Sequence, residues 1–196
     1  MNLKALEKFL PEAAKPFVIN WLKEENIIIK ILPSRQTKLG DYRFLKSHNK
    51  HQITIDGNLK SHAFFFVLTH EIAHLFVYKK FQNRVLPHGK EWKLIFGKML
   101  LESIEAYPKE LIPYIYKHAL NPRASVGADV DLHKNLFLDK EDLFKLVENL
   151  SYGQKFRLGK RVYERGQKRK IRYLCREIKT NKLYLVNGQA LVDEII

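Results

Sequence analysis

Cysteine is nearly absent: Cys175 is the only one in 196 residues. One thiol cannot close a disulfide within the chain. Nor can it build a zinc ribbon, which takes two or four cysteines. Long apolar runs are missing as well, and no stretch approaches the roughly 18 residues that a membrane span requires. The first residues, Met1-Asn2-Leu3-Lys4-Ala5-Leu6-Glu7-Lys8, alternate charge with apolar side chains and offer no signal-peptide core. A soluble protein of a reducing cytoplasm, with no membrane partner, is the expectation. Acidic residues are also scarce, 21 against 35 Lys+Arg, which leaves a formal charge of +14. What is present suffices for a core, since 45% of residues are hydrophobic and wholesale disorder is excluded. The length suits one domain of ordinary size with a small appendage.

The positive charge is concentrated. Residues 151–196 hold twelve basic and four acidic side chains, and between 153 and 182 only Glu164 and Glu177 oppose the cations. That shift places a boundary near Ser151-Tyr152-Gly153, dividing the chain into 1–150 and 151–196. A cationic surface favours a polyanionic partner.

Periodicity predicts a broken helix from Leu3 to about Glu25, punctuated by Pro11 and Pro16. The β-branched run Ile27–Leu32 reads as a strand closed by Pro33, and Tyr42–Leu45 and Gln52–Ile55 as two more. From Leu59 to Lys80 the chain reads as one long helix, whose Ala63-Phe64-Phe65-Phe66-Val67-Leu68 run implies burial on most sides. Further helices are expected at His88–Leu101, from Pro108 to His118, and from an Asp139 N-cap to Leu150. The basic tail reads as three strands, 154–158, 170–178 and 182–186, with turns at Gly166 and Thr180-Asn181.

His70-Glu71-Ile72-Ala73-His74 is an HExxH sequence on the long apolar helix. At 100° per residue, positions i and i+4 lie about 40° apart, so both imidazoles reach one ion. Glu71 stands about 60° from His74 on the other flank, where it can serve a water without ligating the metal. Chance yields such a motif in about 2% of chains of this composition, and burying two imidazoles and a carboxylate on an apolar helix is costly without a compensating role. Catalytic zinc takes a third protein ligand, and His88 or Glu91, at the start of the next helix, can supply it. His48, His51, His62, His118 and His133 share no spacing with the motif and read as surface or capping residues; His118, at a helix C-terminus, suits the macrodipole.

These residues resemble the SprT-like zinc metallopeptidases, the family that includes eukaryotic Spartan. The likeness lies in Thr69-His70-Glu71-Ile72-Ala73-His74, in His88-Gly89 followed by Trp92-Lys93, and upstream in Lys38–Arg43 and Ile53–Leu59. It covers about residues 15–105. The resemblance implies an α+β, zincin-like core, with a small antiparallel sheet packed on helices that include the HExxH helix. It implies one zinc ion held by His70, His74 and His88, with His88 rather than Glu91 as third ligand and Glu71 as general base. The implied activity is peptide-bond hydrolysis in protein substrates, in the eukaryotic branch proteins associated with or crosslinked to DNA. Many bacterial relatives carry a ribbon with paired Cys-x-x-Cys motifs after the core. Here Arg172-Tyr173-Leu174-Cys175 resembles the approach to one pair while the partner cysteines are missing. A degenerate, metal-free β-module is therefore expected, with Cys175 a small buried hydrophobe.

An oxyanion partner is also expected, with Arg35, Tyr42, Tyr114 and His118 as candidates. In the tail, Lys155, Arg157, Arg161, Lys168, Arg169, Lys170 and Arg172 interleave with aromatics and are candidates for contact with DNA. Alternation along the strands turns the rings inward and the cations outward. Two readings compete with a protease of nucleic-acid-associated proteins: a nucleic-acid or transcription-elongation-associated binding protein with a non-catalytic zinc site, and a hydrolase of small peptides. Glu71 favours an enzyme, because a structural site needs no base beside the metal.

Overall fold

The structure, a computed structural model, describes residues 6–33 and 38–196. The start of the first predicted helix and Arg35 lie outside the described residues. The chain divides into two compact units, up to Phe137 and from Leu138 onward.

The first unit holds helix α1 (Lys15–Leu22), strands β1 (Ile27–Leu32), β2 (Gly40–Leu45) and β3 (Lys50–Asp56), then helices α2 (Ser61–Phe81), α3 (Lys90–Glu102), α4 (Ile112–Leu120) and α5 (Val130–Phe137). Pro16 sits in the first turn of α1, where its missing N–H costs nothing. The sheet is mixed, which corrects the expected antiparallel one. Its order is β1-β3-β2, with β3 antiparallel to β2 and parallel to β1. The reason is the short connection at Lys46–Asn49: it folds β3 back between its two predecessors, where it must run alongside β1 in the same direction. α2 packs against β2 and β3 and against α3. Phe64, Phe65, Phe66, Leu68, Ile72 and Leu75 are all buried along it, so the helix is enclosed on most sides as its composition implied. α3 and α4 cross so closely that a side chain on Gly97 would collide with the Ala119 carbonyl.

The second unit begins before the composition shift. The predicted helix 139–150 is instead a five-residue α6 (Lys140–Phe144), opened by an Asp139–Asp142 capping box, and a 3-10 turn at Val147–Asn149. The helix stops because Leu146 bridges to Leu191 and the Val147 N–H donates to the Ala190 carbonyl, tying the segment to the sheet that follows. That sheet has five antiparallel strands: β4 (Lys155–Leu158), β5 (Arg161–Arg169), β6 (Arg172–Glu177), β7 (Leu183–Asn187) and β8 (Glu194–Ile195), in the order β7-β6-β5-β4-β8. β5 and β8 were not expected. Gly166, read as a turn, lies within β5 beside a register shift between Arg165 and Lys168, and a side chain there would run into the Leu174 carbonyl. The turn falls instead at Lys170-Ile171. Phe156, Tyr163, Tyr173, Cys175, Val186 and Val192 form this unit's own core with Val147 and Leu150. Burial raises the pKa of the Cys175 thiol, as befits a packing residue.

Candidate metal centre

The HExxH residues lie midway along α2, and β2 runs beside them in step with the helix. Alternate β2 residues meet successive turns: Gly40 faces Val67 and Glu71, Tyr42 stacks on His74 and meets Tyr78, and Phe44 stacks on Tyr78. A methyl group on Gly40 would lie 2.5 Å from Glu71 Oε1 and 2.7 Å from Val67 Cγ1. Only glycine lets the strand approach the glutamate this closely, and Glu71 is itself buried.

His88 arrives from the turn before α3. The Nε2 atoms of His70, His74 and His88 lie 3.1–3.2 Å from one another. Tetrahedral zinc with bonds of about 2.0–2.1 Å spaces its nitrogen ligands about 3.3 Å apart, so the three positions fit one ion. Their chemistry fits as well. Three ring nitrogens at mutual contact cannot all be satisfied by one another, because each is either a donor or an acceptor. A shared electrophile resolves the conflict. Burial lowers the pKa of all three, with mutual repulsion adding at His70 and His74; His74 is brought down to about 4, the nearby Asp41 carboxylate partly opposing the shift. They are therefore neutral at pH 7, the form that ligates a metal. Glu91 is not among the converging donors, and among the described residues no other group of three or more His, Cys, Asp or Glu converges in this way.

Trp92 backs the site. Its buried ring lies 4.6 Å from His70, 5.4 Å from His74 and 4.7 Å from His88, centroid to centroid, and 4.9 Å from Phe96. One indole thus restricts all three imidazoles from behind. It lies on the inward face of α3, one turn before Phe96. The motifs pointed to the histidines directly; Trp92 and Gly40 carried a weaker signal, as members of short matching segments.

The site opens into a cavity of about 760 Å³, walled by β2 and its approach from Lys38, by α2, by the 82–88 turn and by residues near Ser125 and His133. Asp41 binds Lys38 at 3.0 Å and Arg43 at 2.5 Å; burial raises its pKa, but the two cations outweigh that and hold it below the usual range. Of the described oxyanion candidates only Tyr42 lines the cavity. Its hydroxyl shares a 2.8 Å hydrogen bond with His51 Nδ1, and burial pushes its pKa up. Tyr114 packs against the core. His118, expected at the surface, is buried: its Nδ1 donates to Asp129 Oδ2 at 2.8 Å, and it packs edge-on against Phe66 and Phe96. Its role is structural, tying α4 to the segment that leads into α5.

The seven cations of the tail are not gathered in one patch. Arg157 pairs with Glu194 at 3.0 Å, and Arg161 lies 3.5 Å from Glu177 and over the Tyr184 ring. Lys155 lies opposite Glu164 on the β4–β5 ladder. Lys168, Arg169, Lys170 and Arg172 cluster at the β5–β6 turn. Phe156, Tyr163 and Tyr173 are buried and provide no stacking platform. Among the described residues no helix is long and apolar enough to cross a membrane.

Residues 7–109, just over half of the chain, match the model of the SprT-like family. Among curated proteins, Protein SprT of Glaesserella parasuis serovar 5 is 49% identical over 41 residues, which are 21% of this chain and 26% of the relative. Protein SprT of Escherichia coli O1:K1 is 56% identical over 34 residues, 17% of this chain and 20% of the relative. These matches thus span about a quarter or less of the curated relatives' lengths. No solved structure matches.

Proposed function

Because the chain belongs to the SprT-like family, we propose that it is a zinc-dependent metallopeptidase acting on proteins associated with nucleic acid. The observation that carries this reading is the convergence of three neutral imidazoles beside a buried glutamate in one open cavity. His70, His74 and His88 would hold the zinc ion, which would supply Lewis acidity for activating water and polarising the scissile carbonyl. Glu71 accepts the proton of the attacking water at its carboxylate and returns it to the leaving nitrogen. Gly40 lets β2 close on that carboxylate without displacing it. Tyr42 presents its hydroxyl at the cavity wall, where it donates when His51 Nδ1 carries the proton of their shared hydrogen bond. β2 is an edge strand, so its free main-chain groups can pair with an extended substrate. A purely structural zinc site has no use for Glu71 or for an open cavity, which favours the enzyme over a binding protein. The basic second unit supplies the affinity for nucleic acid.

The test is cleavage of a DNA-binding protein without DNA, with single strands and with duplex, comparing wild type with Glu71→Gln. The variant should lose roughly 10²–10⁴-fold in rate while its zinc content stays equal to wild type. Undiminished cleavage by zinc-loaded Glu71→Gln would remove the mechanism.

A further inference from the structure

We infer that the tip of the β5–β6 hairpin is a wedge for duplex DNA, with Ile171 entering a base step from the minor groove while Lys168, Arg169, Lys170 and Arg172 hold the flanking phosphates. The inference rests on the nucleic-acid part of the function proposed above and needs none of the peptidase part.

Three local features of the tip work against folding. Lys170 adopts φ 56°, a left-handed conformation that costs a lysine energy and that glycine or asparagine takes more readily. Arg169 and Arg172 are direct cross-strand partners, a like-charge pair that destabilises a ladder. Ile171, at 76% exposure, buries almost nothing. A single exposed apolar residue is ordinary on a surface. Its coincidence with a disfavoured lysine and an opposed arginine pair in three consecutive residues and the next is not, and uncompensated breaks of local rules mark functional positions.

The charge of residues 151–196 is sorted in the same sense. All four acids of residues 151–196 are engaged away from the tip: Glu164 with Arg176, Glu177 with Arg161 and Thr180, Glu194 with Arg157, and Asp193 with the Gly159 N–H. None of the four tip cations makes an ion pair among the described residues. The opposite end of the sheet carries Lys160, Lys179 and Lys182, but Glu177 and Asp193 sit among them. Within residues 151–196 the tip is thus the largest group of cations outside the ion pairs; β7 flanks it as far as Asn187, opposite Arg172, and the Gly188 N–H donates to the Ile171 carbonyl.

Minor-groove proteins combine these two parts, cations on phosphates and an apolar side chain that unstacks a step. An anionic membrane surface would meet the same cations. One isoleucine, however, supplies only about 1.5–3 kcal/mol on full burial, and even a whole myristoyl chain binds membranes marginally.

The experiment uses the full chain and a duplex carrying 2-aminopurine at a pyrimidine–purine step. Wild type should bind with a log–log salt slope of about −3.6, from four phosphates, and should raise the 2-aminopurine fluorescence. Replacing the tip charges (Lys168→Gln, Arg169→Gln, Lys170→Asn, Arg172→Gln) should weaken binding by roughly 100-fold or more at low salt and flatten the slope. Ile171→Ala should remove the fluorescence rise and keep the slope. The control, Lys160→Gln with Lys179→Gln and Lys182→Gln, should lose less than about threefold. If the control loses as much as the tip variant, or the tip variant binds like wild type, the nucleic-acid reading survives and the tip assignment falls. If Ile171→Ala keeps the fluorescence rise, the wedge falls. Absence of duplex binding by wild type, or preference for phosphatidylserine vesicles, overturns both.

Discussion

In the first unit Glu71 is buried, His70 and His74 are half-buried and His88 is exposed, and aromatic rings flank them: Trp92 touches three imidazoles, Tyr42 stacks on His74, and Phe96 packs on His70. In the second unit the rings are the core, with Phe156, Tyr163 and Tyr173 buried, and the charges stand outside. Both units use basic residues and aromatics freely, all eight histidines lying in the first, yet similar residue types do opposite work. Partial burial keeps the imidazoles of the first site neutral at pH 7, the form that ligates a metal. Exposure leaves the cations of the β5–β6 tip outside the ion pairs of the sheet, as the proposed contact with nucleic acid requires. Small changes at the first site should therefore act through packing and geometry, and changes at the surface cations of the second unit through long-range charge.

The largest contrast comes from removing one residue in each. Trp92→Ala should cost about 3–5 kcal/mol in chemical denaturation, as loss of a fully buried indole does, and should lower zinc retention with it. The matching change at a surface ion pair of the second unit, Arg157→Gln, should cost less than about 1 kcal/mol. Equal losses would break the comparison. Next, Gly40→Ala tests geometry without charge: its methyl group displaces the Glu71 carboxylate, and displacement of a catalytic group by about 1 Å is worth about 10² in rate. The expected outcome is a fall in kcat with KM and zinc content little changed. A smaller effect should appear with pH. His118 spends its Nδ1–H on Asp129, and burial lowers its pKa beneath the ordinary 6.5, although Asp129 opposes the shift. The unfolded chain then binds that proton more readily than the folded one, so stability falls as pH drops below about 6.5 and is regained above it. His118→Gln should show a shallower drop in Tm between pH 7 and pH 5.5 than wild type.

Much of the first unit was legible because its signals are local. An HExxH pair depends only on the helical repeat, and a run such as Phe64-Phe65-Phe66 announces its burial before any partner is known. The third ligand was less so from spacing alone: His88 and Glu91 lie three residues apart at the approach to α3, and the fold of the 82–88 turn brings only His88 to the other two imidazoles. What failed were features set by distant partners. The direction of β1 relative to β3 depends on which strand the hairpin inserts between. The helix expected over 139–150 has good propensity and a real N-cap, but Leu146 and Val147 are captured by Leu191 and Ala190. Gly166 looked like a turn because glycine marks both turns and close strand approaches, and nothing near it in sequence distinguishes the two. His118 looked like a helix-terminal cation because its partner, Asp129, lies beyond the helix. The tail's seven cations formed one candidate set until their acids were placed, and ion pairing then separated Arg157 and Arg161 from the hairpin tip.

The account stands on three imidazoles sharing one metal ion. The most direct measurement is zinc content per chain after purification without added metal, for wild type and for His88→Ala. The prediction is one zinc per chain in wild type and near-complete loss in the variant, with both proteins folded by circular dichroism. Wild type without zinc after incubation with the metal, or His88→Ala retaining a full equivalent, would contradict it.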